Sequence, residues 1–274
     1  MKFSAKLVKA KVLLKIILNI QKIPGDCVVH ITQKKVAFII RSDLDEGGSQ
    51  VWCEIENSNF FDELNIQSLS DNEIQFQLEI EHLKRVLQSA TTSMNEITVK
   101  LAKRGIPYLK FIIQSTQQSV ILIQEIPIVL LTQQQMAQIN EPQLPDPDVN
   151  IFLPNLKTLQ NIIDKMKNIS DELCITISNN SELKLAVETN AGSISTFYQG
   201  LTHATLGGKD KTQSQITRSS AVVDIKKFQK VLVLHSLSPD DVVCCIYESS
   251  LLIHAMLHNH KVVVTYYLPI IIKN

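Results

Sequence analysis

Glycine is scarce, with eight residues in 274, so no flexible low-complexity tract is expected. Cysteine is limited to five residues: Cys27, Cys53, Cys174, Cys244 and Cys245. The number is odd and no CxxC spacing occurs, which speaks against a disulfide framework and reads as buried free thiols in a reducing compartment. The sequon Asn168-Ile169-Ser170 then has no secretory context. No stretch approaches the roughly 18 apolar residues of a membrane span. The basic, apolar start from Met1 to Ile20 is broken by Lys9, Lys11 and Lys15, so it lacks the apolar core of a signal peptide. A soluble intracellular chain with no membrane partner is expected. Net charge is also missing, with 27 basic residues against 27 acidic ones. Only the distribution of charge can then point to a partner. Finally, GxGxxG, GxxxxGK[ST], GxSxG and HExxH are all absent. No carboxylates form a recognisable acid/base pair, so no catalytic residue and no cofactor are assigned.

What is present is mostly strand-like. Apolar residues make up 45% of the chain, enough for packed cores. At about 100–200 residues per domain the length suggests two. Short β-branched runs such as Val28–Ile31, Lys35–Ile40, Val51–Glu56, Ile74–Leu78, Tyr108–Ile113 and Ile121–Leu131 fill the first half, with turns at Pro24-Gly25, Gly47-Gly48 and Gly105. The second half repeats the pattern through Leu173–Ile177, Leu183–Val187, Ser193–Tyr198, Val242–Tyr247, Leu251–Met256 and Val262–Leu268. Helical spacing occurs only at Val8–Lys22, Ile80–Ala90, Asn155–Asn168 and Ile225–Ser236. Pro154 reads as a first-turn residue and Asp224 as an N-cap. Each half thus runs strand, helix, strands, helix, strands. Two tandem α+β domains follow, 1–132 and 149–274, joined by a semi-stiff linker 133–148 that holds Pro142, Pro145 and Pro147.

Charge segregates onto the helices. Those four segments carry twelve lysines and arginines against only Glu81 and Asp164, and the remainder is correspondingly acidic. Lys11, Lys15, Asn19 and Lys22 share one helical face, and Lys157, Asn161, Lys165 and Asn168 repeat the same offsets. The residues expected to face DNA are Lys11, Lys15, Lys22, Lys84, Arg85, Lys157, Lys165, Lys226, Lys227 and Lys230. Lysines meet phosphates by charge without reading bases. The one aromatic on these helices, Phe228, lies on the apolar stripe, which leaves no platform for single-strand stacking. Non-specific contact with duplex DNA is the reading. Asp146 and Asp148 are linker acids, and His254, His258 and His260 fall around a hairpin. No metal site is assigned.

Several runs are similar to a known family: Met1-Lys2-Phe3 with Ala5-Lys6, Trp52-Cys53-Glu54, Asn59-Phe60-Phe61, Asn72-Glu73-Ile74, Leu144-Pro145-Asp146-Pro147-Asp148-Val149, Leu153-Pro154, Leu156-Lys157-Thr158-Leu159, Lys165-Met166-Lys167-Asn168-Ile169-Ser170, Glu182-Leu183, Glu188-Thr189 and Tyr266-Tyr267-Leu268-Pro269. On these the chain resembles the Hus subunits of the heterotrimeric DNA-damage checkpoint clamp, the nine-one-one ring. The resemblance covers nearly the whole chain, although Gly200–Ile216 does not align with it. It implies the DNA-clamp fold, with each domain's sheet outside and its two helices on the inner wall. It further implies a nuclear protein, with a cytoplasmic pool possible, that has no catalytic activity. Its partners would be two sister clamp subunits, a clamp loader, duplex DNA, and repair and checkpoint proteins. A homotrimeric replication processivity clamp and a DNA-processing enzyme are the competing readings. Pro127 interrupts Gln124–Leu131, and proline is tolerated in sheets chiefly at an edge. Ser193–Tyr198 alternates with little protective charge. The resemblance points to the same two strands for pairing with neighbours, which places Ile126, Ile128, Ser195 and Phe197 at two ring interfaces.

Overall fold

A computed structural model describes residues 1–42, 47–69, 71–91, 95–115, 119–204 and 218–272. Much of the Gly200–Ile216 loop therefore lies outside the described residues. The chain forms two compact units. The first holds 1–42, 51–141 and 261–263; the second holds 43–50, 142–260 and 264–274.

In the first unit the order is β1 (Lys2–Leu7), α1 (Ala10–Ile20), β2 (Asp26–Ile31), β3 (Lys35–Arg41), β4 (Gln50–Glu56), α2 (Asn57–Phe60), β5 (Phe61–Gln67), β6 (Ile74–Leu78), α3 (Ile80–Ala90), β7 (Asn95–Arg104), β8 (Ile106–Ser115), β9 (Ile121–Pro127), β10 (Val129–Leu130) and α4 (Gln133–Ala137). One sheet runs β5-β1-β7-β8-β9, and a second strand run is β10-β6-β2-β3-β4. Helices α1 and α3 pack on each other. Leu13, Ile16, Ile17 and Ile20 of α1 and Leu83, Val86, Leu87 and Ala90 of α3 are buried, the three-and-four spacing of a helix with one apolar face.

The second unit repeats the plan with β11 (Val149–Phe152), α5 (Leu156–Met166), β12 (Glu172–Ser178), β13 (Glu182–Thr189), β14 (Gly192–Tyr198), β15 (Arg218–Asp224), α6 (Ile225–Leu232), a 3₁₀ turn (Val233–Leu237), β16 (Asp241–Ile246), β17 (Ser250–Leu257) and β18 (Val262–Pro269). One sheet runs β14-β13-β12-β15, and a second strand run is β18-β17-β16-β11. Helix α5 packs on α6 through Leu159, Ile163 and Met166 and through Phe228, Val231 and Leu232.

Four local readings change. The first helix starts at Ala10 rather than Val8, because the Val8 N–H is held by the Phe60 carbonyl at 2.9 Å. Helix α5 is capped by Asn155, whose side chain accepts from the Lys157 and Thr158 amides, so Pro154 stands outside the first turn. The linker segment is not extended throughout. Thr132 and Gln135 form a capping box that starts α4. The expected strand Ile121–Leu131 is broken after Pro127: Ile128 still donates to the Pro107 carbonyl, but Pro107 has no N–H to return the bond, and the tail joins β6 as β10.

Asp224 caps α6 as expected, accepting from the Lys226 and Lys227 amides at 2.8 and 3.0 Å. Asp224→Ala should therefore cost about 1 kcal/mol, read as a lower urea midpoint; an unchanged midpoint would contradict the cap. His254 in β17 contacts Thr265 Oγ1 at 3.0 Å, and burial pushes its pKa down. The unfolded chain then takes up the proton first. Stability should hold above the free-histidine value of about 6.5, fall as pH drops from there, and level off below the lower folded value. His254→Gln should flatten that part of the pH–stability curve in thermal melts.

Candidate nucleic-acid interface and subunit edges

The basic residues fall into two sets. Lys11 and Lys15 are exposed on α1, and Lys22 is exposed two residues past its end. Lys157 and Lys165 are exposed on α5 and Lys230 on α6. None of these six makes an ion pair among the described residues. Lys157 Nζ reaches only the neutral Gln160 Oε1 at 3.4 Å.

The other four are tied locally. Lys84 is half-buried and contacts Glu81 at 2.6 Å; Arg85 lies 3.8 Å from the same carboxylate. The Lys84 hydrogen bond holds the Glu81 carboxyl below its usual range. Lys226 meets Asp171 at 2.7 Å, and that bond raises the lysine pKa. Lys227 is half-buried and donates to the Gly47 carbonyl. These exposed pairs add little to stability. They do place a carboxylate or carbonyl oxygen beside each cation, which a phosphate would have to displace.

Asn19 departs from the stripe assigned to it. Its side chain is buried, at 3% exposure, and donates to the Lys15 carbonyl at 2.8 Å. Eight residues from Lys11 is about 80° of helical rotation, which rolls Asn19 onto the packed side. Asn161 and Asn168 remain exposed.

Both expected edge strands lie at sheet edges. In an antiparallel ladder, bonded and non-bonded residue pairs alternate. β9 pairs with β8 in unbroken register from Tyr108–Pro127 to Gln114–Ile121. The Ile128 N–H donates to the Pro107 carbonyl and the Ser115 N–H to the Val120 carbonyl, both at 3.1 Å. These flanking bonds fix the parity. Leu122, Gln124 and Ile126 turn their backbone groups toward β8, while Ile121, Ile123 and Glu125 turn theirs away. On β14, Thr189 stands directly opposite Gly192 across a two-residue turn, so that closing pair is hydrogen-bonded. Ser193, Ser195 and Phe197 then present N–H and C=O outward.

On β9 the two residues named for the interface do not carry the open backbone. Ile126 and Ile128 are 1% and 5% exposed; their side chains belong to the core, and their N–H groups face inward partners. Ile121 and Ile123 carry the open backbone and are themselves exposed. Alternation counted from Pro127, whose missing N–H suits the outward position of an edge strand, was the signal that could have found them. Ser195 and Phe197 do lie on the outward edge. Phe197 is 54% exposed and Lys184 Nζ sits 5.4 Å from its ring centre. Among the described residues no group of three His, Cys, Asp or Glu side chains could hold a metal ion. No helix is long and apolar enough to cross a membrane.

The crystal structure of proliferating cellular nuclear antigen from Entamoeba histolytica superposes with a TM-score of 0.72 at 14% identity, covering 98% of this chain and 99% of that one. Two tandem units of this plan, each with a helix pair against its sheets, define the DNA-clamp fold. The profile of the family described as Hus1-like protein matches residues 1–272. The checkpoint protein hus1 homolog of Dictyostelium discoideum is 55% identical over 276 residues, covering 100% of both chains. Checkpoint protein HUS1 of Homo sapiens is 32% identical over 279 residues, covering 98% of this chain and 99% of its own. The chain belongs to the Hus1-like family.

The parity argument is testable by amide hydrogen exchange on the isolated chain. Ile121, Ile123, Glu125, Ser193, Ser195 and Phe197 should exchange rapidly, and Leu122, Gln124, Ile126, Ile194 and Thr196 slowly. The reverse alternation on either strand would overturn that edge.

Proposed function

We propose that this chain is one arc of a heterotrimeric checkpoint clamp that encircles duplex DNA at damage sites, does no chemistry itself, and recruits checkpoint and repair proteins. Membership of the Hus1-like family over residues 1–272 carries the reading. Physical chemistry supplies the rest. Each unit ends one sheet in an open strand, and neither edge is blocked by lysine. An edge of this kind is either protected or paired with another chain. Two such edges, one in each unit, suit a subunit with a neighbour on each side. The edges differ: β9 offers bulky Ile121 and Ile123, β14 offers small Ser193 and Ser195 beside Phe197. Each selects a different sister subunit. A clamp loader opens and closes the ring, and the protein works in the nucleus.

Lysines on the helices of each unit supply the DNA contact. Lys11, Lys15, Lys22, Lys157, Lys165 and Lys230 carry most of it, because no carboxylate competes for them. Lys84, Arg85, Lys226 and Lys227 contribute less. Such contact is sequence-independent and releases counterions, about 0.9 in the salt slope per phosphate neutralised.

Two experiments follow. Lys157→Ala, Lys165→Ala and Lys230→Ala together should lower the salt slope of ring retention on nicked circular DNA by roughly 2–3, whereas Lys84→Ala with Lys226→Ala should change it by less than about 1. Equal effects from both sets would refute the division. Ser195→Pro removes one outward N–H, so the folded variant should lose one sister subunit in co-purification and keep the other. Ile123→Pro should do the converse. Retention of both partners by either variant would show that the edge is not an interface.

A further inference from the structure

The first unit carries a groove of about 1090 Å³, whose floor and walls include Leu78, Ile80, Ile106, Val129 and Leu130. Its volume would hold several amino-acid side chains. Two of these residues are unusually open for their type, with Ile106 63% and Val129 61% exposed. The charged residues of the wall are all acidic: Asp26, Glu79 and Glu81 line it, and no lysine or arginine does. Glu81 is engaged by Lys84 and Glu79 lies 3.4 Å from His82. Asp26 makes no ion pair among the described residues. Lys103 and Arg104 stand cross-strand from Pro107 and Ile106 at the hairpin tip, outside the groove lining.

The groove also borders an unfinished sheet edge. β10 is the terminal strand of its sheet and pairs with β6 through Val129–Gln77 and Leu130–Phe76. The Leu131 N–H donates to the Gln75 carbonyl at 3.0 Å. By alternation Val129 is the next bonded position, and Leu130 turns its N–H and C=O away from β6. An apolar trough beside outward-facing backbone groups is the arrangement that binds an extended peptide. The main chain supplies hydrogen bonds, and pockets take alternate side chains.

We propose that this groove is a docking site for a short extended segment of a partner protein, with apolar residues at alternate positions flanked by lysine or arginine. The apolar positions cover Ile106 and Val129, the flanking cations meet Asp26 and Glu79, and the backbone pairs at Leu130. The groove touches two features described above, since Glu81 of its wall pairs with Lys84 of α3 and Pro127 at the end of β9 lines it, but the inference does not rest on the ring assembly proposed above.

The test uses the full chain and two fluorescein-labelled peptides, Lys-Leu-Thr-Val-Lys and Glu-Leu-Thr-Val-Glu, measured by fluorescence polarisation. The lysine-flanked peptide should bind at least tenfold more tightly, and its affinity should fall as salt rises. Val129→Arg should weaken it tenfold or more. So should Asp26→Lys with Glu79→Lys, which should also reverse the preference toward the glutamate-flanked peptide. These side chains are exposed, and an unchanged melting temperature confirms that each variant is folded. Hydrogen exchange should show protection at Leu130 when the peptide is bound. Three results overturn the proposal: equal or absent binding of both peptides, binding indifferent to these substitutions, or a groove covered instead by a second copy of the chain, seen as a concentration-dependent doubling of mass that Val129→Arg abolishes. Loss of peptide binding with both sister subunits still co-purifying distinguishes this site from the subunit edges.

Discussion

Backbone hydrogen bonding is the constraint on which the rest depends. A strand that ends a sheet leaves alternate N–H and C=O groups without a partner, and water or another chain must satisfy them. In β9 and β14 the unpaired set falls on Ile121, Ile123 and Glu125 and on Ser193, Ser195 and Phe197. Burial reinforces the parity on β9. Ile126 faces the core, so a slip of one residue would carry it to the surface and bring Glu125 inside. The register that builds the core therefore also decides which amides are offered outward. An open sheet edge and a hydrophobic core are set by one alignment.

The helices follow from the same economy. Each needs one apolar face to cover its sheet, and the opposite face is free to take any charge. Almost all of that charge is positive, yet local chemistry divides it. Glu81, Asp171 and Asp164 each draw a cation into a short-range pair. Lys11, Lys15, Lys157, Lys165 and Lys230 have no such partner among the described residues. A phosphate backbone is recognised by the charge that remains available, not by the number of lysines on a helix. The chain can therefore be neutral overall, at 27 against 27, and still present basic helix faces.

Much of this was legible in the sequence. The helix positions, the tandem plan and the Asp224 cap came from periodicity and composition, because these are local properties. Register is not local. Reading Pro127 as an edge marker was sound, but which residues of that edge turn their backbone outward depends on the pairing with β8, which only the folded chain supplies. Asn19 failed for a related reason: the offsets suggested one face, while 80° of rotation was enough to bury it at 3% exposure. Ion pairs such as Lys226–Asp171 join separate elements and had no signal in spacing. The capping box at Thr132 and Gln135 was present in the sequence but was masked by the neighbouring prolines, which argued for extended chain throughout.

The central claim is that one copy of this chain, with two unlike edges, occupies one place in a three-membered ring. Native mass spectrometry of the chain co-expressed with its two candidate sister subunits addresses it directly. The account predicts a single dominant assembly containing one 30.9 kDa copy of this chain and one copy of each sister. A stable assembly of three copies of this chain, formed without the others, would contradict it.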